Sequence, residues 1–262
     1  MRILRLSTSD DVLPTVAEHE RGYRLVEAAL ARECGQPVET IVRNIWLTDQ
    51  LPDLIDRWLD ADQPDIVTFK VSSYWFSYES VPLRFERSRL GVPGKMLAGL
   101  GATAGETSWL AHTPAFHAAR NTIRRAIGGG AVYFTPDQVI ERVTACLRRI
   151  LQRENVVLIV RGPLVSEAGG TSPATQRRYE EQRRYVDRAV ADRCAALHVY
   201  YTGCRAAPPA SELLIYRGPD RLHMNPLGHE LMGREEAAAA VAAWRISMGA
   251  DAPLYRESTA VV

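Results

Sequence analysis

Short apolar bursts alternate along this chain with stretches of helical period. Residues 3–6 are an apolar run that stops at Ser7-Thr8-Ser9-Asp10, where hydroxyl and carboxylate side chains favour a helix start. Residues 14–34 place Val16, Tyr23, Val26, Leu30 and Cys34 on roughly one face, which predicts a helix. Residues 38–46 read as a second strand, 51–59 as a short helix, and 64–71 as a third strand running into Ser72-Ser73-Tyr74-Trp75. Thr135-Pro136-Asp137 supplies a cap and a first-turn proline for a helix carrying Val139, Ile140, Val143, Cys146, Leu147, Ile150 and Leu151. A fourth strand at 155–161, a long amphipathic helix at 174–196 and a fifth strand at 197–201 follow. Asn225-Pro226 starts a last helix reaching about Ser247.

Strands that alternate with helices, over connections too long for hairpins, predict a single α/β domain over residues 1–262. Its sheet is parallel, with helices on both faces. Residues 76–134 break the pattern. Gly91, Gly94, Gly99, Gly101, Gly105 and Gly128-Gly129-Gly130 fall there with weak periodicity, as expected of an insertion, lid or binding loop. Residues 250–262 read as a C-terminal tail. In such folds ligands sit beyond the carboxyl ends of the strands, so the turns after them are where chemistry is expected.

Composition narrows the classes. The chain is 46% hydrophobic and 24% charged with a net charge of +1, which gives no pull toward nucleic acid or anionic membranes. Four scattered cysteines form no CxxC pair, and Cys146 and Cys194 fall on apolar helix faces as buried thiols. No apolar run approaches the roughly 20 residues of a membrane span. The first residues are too few and too charged for a signal peptide, so a cytoplasmic location is expected. Gly94-Lys95 lacks the remainder of a P-loop, and Gly99-Leu-Gly101 follows no strand. His112 and His117 have the wrong spacing for a helical metal pair. No cofactor and no metal are therefore expected. His229 reads as a packing or surface residue, and Arg177-Arg178 and Arg183-Arg184, interleaved with Glu180-Glu181, as a solvated helix face.

The most informative stretch is Asp220-Arg-Leu-His223-Met-Asn225-Pro-Leu-Gly228. Asp and His three apart, just before a helix cap, can meet on one turn; the carboxylate then fixes the imidazole tautomer and leaves Nε2 for a nucleophile. An ordinary surface loop with one exposed His would read the same way. Ser9, three residues past the first strand and at a helix start, fits the nucleophile, although Ser-Thr-Ser-Asp is also plain capping chemistry. Ser7 is the alternative.

Together these segments resemble the SGNH, or GDSL-type, hydrolases. Leu6-Ser7-Thr8-Ser9 stands where that family has a strand leading into Gly-Asp-Ser. Asp220, His223, Asn225 and Gly228 match its Asp-x-x-His block, and 64–67 its Pro-Asp-hydrophobic-Val strand. Ser7 and Thr8 replace the family's Gly and Asp, and Tyr74 replaces the Asn that donates to the oxyanion. The resemblance implies a three-layer, flavodoxin-like, doubly wound sheet of five parallel strands in the order 2-1-3-4-5. It implies hydrolysis of a small-molecule, carbohydrate or lipid ester through an acyl-enzyme, with Ser9 as nucleophile, His223 as base and Asp220 as its orienter. Ser73 or Tyr74 and an amide from residues 45–49 would face the oxyanion. Two alternatives stand beside it: an acyltransferase on the same site, or a catalytically silent relative that binds a ligand or partner.

Overall fold

The first strand is buried on both faces, so it reads as a nearly unbroken apolar run and lies inside the sheet rather than at an edge. In the computed structural model, which describes residues 1–12, 16–77, 79–87, 122, 126, 130–164, 173–203, 213–218 and 223–249, this strand is β1 (Arg2–Ser7). It pairs in parallel with β2 (Glu39–Asn44) on one side and β3 (Ile66–Lys70) on the other. β4 (Val157–Arg161) and β5 (Tyr200–Thr202) extend the sheet, which has the order 2-1-3-4-5 and is parallel throughout. The expected doubly wound architecture is the observed one.

Alternation along the strands sorts the two layers. Leu4, Leu6, Val67, Phe69, Leu158 and Val160 face α2 (Leu51–Asp62), α5 (Pro136–Ile150) and α6 (Pro173–Ala196) in the larger core. Ile3, Ile66 and Ile159 face α1 (Gly22–Cys34) and α7 (Pro226–Ser247) in a smaller one, where α7 contributes Ala237, Ala240 and Ala243. The small side chains let α7 lie close. A Cβ on Gly233 would come 2.6 Å from the Gly22 carbonyl oxygen, and one on Gly22 would come 2.7 Å from that of His229. Gly233→Val is therefore expected to cost about 1–3 kcal/mol through overpacking. Urea titration should show a lower midpoint at unchanged slope, and an unchanged midpoint would contradict this crossing.

Three elements differ from expectation. α1 begins at Gly22 rather than at residue 14, after a 3₁₀ turn at Glu18–Glu20. Arg21 is held extended there, its guanidinium donating to the Asp11 carbonyl at 2.6 Å, so Val16 is buried without belonging to the helix. β5 is shorter and later than expected because Leu197 still closes α6 and His198 turns the chain at φ 56°. Residues 76–134 hold more order at their ends than the glycines announce. α3 (Tyr74–Ser77) and α4 (Val81–Glu86) follow β3 directly. An antiparallel bridge from Ser80 to Ala131, with N–H···O distances of 2.8 and 3.0 Å, pins the neck of the segment. Most of the expected lid, residues 88–121 among it, lies outside the described residues, as do the tail at 250–262, His112, His117 and Cys204.

Cys146 and Cys194 are buried and free, and burial pushes both thiols up to about 12. Among the described residues no helix is long and apolar enough to cross a membrane.

Candidate active site

At the carboxyl end of β1 the chain leaves the sheet through Thr8 and makes a single 3₁₀ turn, Ser9–Asp11. The Asp11 amide donates to the Thr8 carbonyl at 3.1 Å and the Val12 amide to that of Ser9 at 3.2 Å. Ser9 is thereby presented at the edge where the inner strands end.

The opposite wall comes from the far end of the sequence. Asn225 caps α7, its side-chain oxygen accepting from the Gly228 amide at 2.9 Å as the Asn-Pro pair predicts. Its side-chain amide donates to the carbonyls of Ile215 and Arg217 at 2.7 and 3.2 Å. The Gly218 amide donates to the His223 carbonyl at 2.8 Å. These bonds hold residues 223–225 against the 3₁₀ turn Leu213–Tyr216. The strap brings His223 Nε2 to 2.9 Å from Ser9 Oγ, across 214 positions of sequence. The Ser9 hydroxyl can donate to that nitrogen when the imidazole carries its proton on Nδ1. Asp220 lies outside the described residues.

Ser7 takes no part in this contact. It is fully buried on the α1/α7 side and its hydroxyl donates to the Asp11 carboxylate.

Beneath the turn lies a layer of buried charge. Arg5, Lys70 and Arg161 project from three adjacent strands toward α1 and α7, and each meets a carboxylate. Arg5 Nε lies 2.9 Å from Asp11 Oδ2 and Arg5 Nη1 2.7 Å from Glu236 Oε2. Arg161 meets the other oxygen of Glu236, and Lys70 Nζ lies 2.9 Å from Asp10 Oδ2. Burial alone would raise the Asp10 carboxyl, but Lys70, with Arg217 and His223 beyond it, holds it well below the usual carboxylate range. Asp11 is likewise raised by burial and lowered further by Arg5 and Lys70, ending below its ordinary value. His229 is buried beside this layer and accepts from the Gly22 amide at Nδ1, and burial lowers its pKa.

None of these six charged residues stood out as functional in the sequence. The signal was available, because a cation at the last position of an apolar strand, as at Lys70 and Arg161, must find a carboxylate or leave the core.

The rim is aromatic. Trp46, just past β2, and Tyr74, just past β3, flank the end of β1, and their rings meet edge to face at 5.8 Å. Tyr133 lies 4.8 Å from Trp46 and stacks on Tyr74 at 6.2 Å. Trp46 is 38% exposed. Ser73 is buried at the start of α3, where its carbonyl accepts from the Ser77 amide and hydroxyl. Trp75 and Phe76 are wholly in the core, and Tyr78 lies outside the described residues. Within 45–49 the Ile45 amide donates to the Ser7 carbonyl and the Thr48 amide to that of Trp46, each at 2.7 Å. Both amides are thus engaged within the fold. Among the described residues no group of three His, Cys, Asp or Glu side chains is placed to hold a metal ion.

No family model and no curated protein sequence matches the chain. Solved structures do match it. A lipase/acylhydrolase from Enterococcus faecalis is 15% identical over 92% of this chain and 95% of its own, with a TM-score of 0.51. A catalytic mutant of an acetylxylan esterase from Geobacillus stearothermophilus is 13% identical over 91% and 93%, at 0.50. A psychrotrophic esterase from a Pseudoalteromonas species, inhibited by monoethylphosphonate, is 12% identical over 93% and 97%, also at 0.50. The likeness is one of fold and runs nearly the full length of each.

Proposed function

We propose that this chain is a serine-dependent ester hydrolase acting through an acyl-enzyme. The observation that carries the reading is the 2.9 Å contact between Ser9 Oγ and His223 Nε2 at the carboxyl edge of the sheet. A hydroxyl already pointed at an imidazole is the geometry general-base activation needs. The esterase and acylhydrolase activities named for structures of the same fold support the same chemistry.

On this reading Ser9 Oγ attacks the ester carbonyl as its proton passes to His223 Nε2. The resulting imidazolium gives that proton to the leaving alcohol as the tetrahedral intermediate collapses to acyl-Ser9. Water then attacks the acyl carbonyl, losing its proton to His223, and the imidazolium returns that proton to Ser9 Oγ as the acid leaves. Asp220, three residues before His223, accepts the Nδ1 proton in a hydrogen bond and stabilises the charged ring. The Ser9 amide, one amide from Trp46, Leu47 or Asp49, and the Ser73 or Tyr74 hydroxyl face the oxyanion. The aromatic rim of Trp46, Tyr74 and Tyr133 offers an apolar wall to the ester beside the nucleophile.

Treatment with a small fluorophosphonate, followed by intact mass and peptide mapping, tests the reading. One adduct on Ser9, lost in both Ser9→Ala and His223→Ala, is expected. No adduct at neutral or mildly basic pH would overturn hydrolysis and favour a binding role for the same cleft. If Ser9 is labelled, adding alcohols to an activated ester separates hydrolase from acyltransferase by the share of acyl group that water receives.

A further inference from the structure

Asp10 directly follows the serine at the site, yet its carboxylate turns away from the sheet edge and is spent on two other elements. Oδ2 lies 2.9 Å from the buried ammonium of Lys70, the last residue of β3. Oδ1 accepts from the Met224 amide at 3.2 Å. That amide belongs to the peptide plane attached to the His223 Cα, so holding it fixes the backbone from which the imidazole projects. Both side chains of the Asp10–Lys70 pair are nearly buried, at 12% and 7% exposure. Burying two charges carries a desolvation cost that an apolar pair of similar size would avoid. What an apolar pair would lack is an acceptor for the Met224 amide.

We infer that Asp10 is a positioning residue, a clamp anchored on Lys70 that fastens the His223 strap over Ser9 and so sets the Ser9–His223 contact. One side chain ties the nucleophile turn, the end of β3 and the start of the last helix together. The nucleophile and its base, 214 residues apart, are thus held in register by the residue next to the nucleophile. The catalytic consequence rests on the hydrolase reading; the clamp itself does not. A misplacement of about 1 Å between reacting groups can cost a hundredfold in rate, so losing the clamp should register in chemistry while the fold survives.

The test compares the native chain with Asp10→Ala, Asp10→Asn and the double variant Asp10→Asn/Lys70→Gln. The double variant restores an amide pair across the gap and keeps an acceptor for Met224 without either charge. Two readouts are taken on each: the rate of fluorophosphonate labelling at Ser9, and the hydrogen exchange of the Met224 amide by NMR. Labelling in Asp10→Ala should slow at least tenfold and the Met224 amide should lose its protection. Asp10→Asn alone, which sets an amide against the Lys70 ammonium, should also slow labelling, and the double variant should return to within about threefold of native with protection restored. A purely structural carboxylate would lower the melting temperature but leave labelling of the folded protein unchanged, and that result overturns the clamp. So does a Met224 amide as well protected in Asp10→Ala as in the native chain. If the native chain takes no label, the hydrolase reading falls, and the Met224 exchange alone decides the clamp, supporting it if protection is lost and then restored, overturning it otherwise.

Discussion

Replacing His223 by alanine is expected to lower kcat for an activated ester such as p-nitrophenyl acetate by at least about 10³-fold, with KM little changed. The imidazole lies within hydrogen-bond reach of the Ser9 hydroxyl, 2.9 Å from it. At neutral pH a serine hydroxyl without an adjacent base is a poor nucleophile, so the whole benefit of proton transfer is lost at once. Ser9→Ala should cost as much, and the double variant little more than either single one, because base and nucleophile act as a unit. Stability should barely respond. Both residues are half-buried at the sheet edge, and removing either leaves no buried charge. Steady-state kinetics with thermal melts on the three variants checks this, and a loss below tenfold in His223→Ala would sink the acyl-enzyme reading. A loss in the double variant equal to the sum of the two single effects, in free energy, would do so as well.

The distribution of apolar residues was sufficient for the sheet. β1, β3 and β4 are short apolar runs bounded by turn residues, and α5 and α7 begin at the proline-containing caps that announce them. Their order in space was not in that pattern; it came from the resemblance to a known family, which rests on short motifs around Ser9 and His223. Errors gathered where tertiary contacts override local preference. Residues 14–21 have helical period, yet Arg21 is pinned to Asp11 and the helix waits until Gly22, where its partner α7 passes too closely for any side chain. In 76–134 the glycines masked two short helices and the bridge at the neck, because a bridge between Ser80 and Ala131 leaves no local signature in sequence.

The site shows the same division. Ser9 and His223 were legible because capping residues beside strand ends and helix starts are recognisable wherever they stand. The charged layer under them was not. Arg5 sits in the middle of an apolar run, and its two partners, Asp11 and Glu236, lie 6 and 231 positions away, so only the folded chain pairs them. Ser7 shows the converse. By sequence it competes with Ser9, but strand alternation turns it inward onto Asp11, whereas Ser9, two residues on, has left the strand for the 3₁₀ turn.

That buried layer makes the largest stability effect expected of the molecule. Glu236 on α7 receives both Arg5 and Arg161, all three nearly buried. Glu236→Ala leaves two guanidinium groups in the smaller core with one carboxylate fewer between them. Breaking a buried pair in this way typically costs about 3–5 kcal/mol, because the uncompensated charge and not the lost contact dominates. Glu236→Gln keeps an acceptor and the side-chain volume while removing the charge, so it should fall between native and alanine. The same layer sets the response to acid. Asp10 and Asp11 are held below their ordinary carboxylate values by Lys70 and Arg5 against the opposing effect of burial. A depressed folded-state pKa contributes stability that is fully present above the unfolded value of about 4 and disappears as pH falls through the folded one. Unfolding free energy should therefore hold steady from neutrality to about pH 5 and then decline. Glu236→Ala should lower the curve across the whole range, since it removes a carboxylate shared by two nearly buried guanidinium groups that stay charged throughout. Equilibrium urea unfolding at a series of pH values reads both effects. A Glu236→Ala protein within about 1 kcal/mol of native at pH 7 would mean that Arg5 and Arg161 find other partners or water, and that the charge layer is not a sealed part of the core.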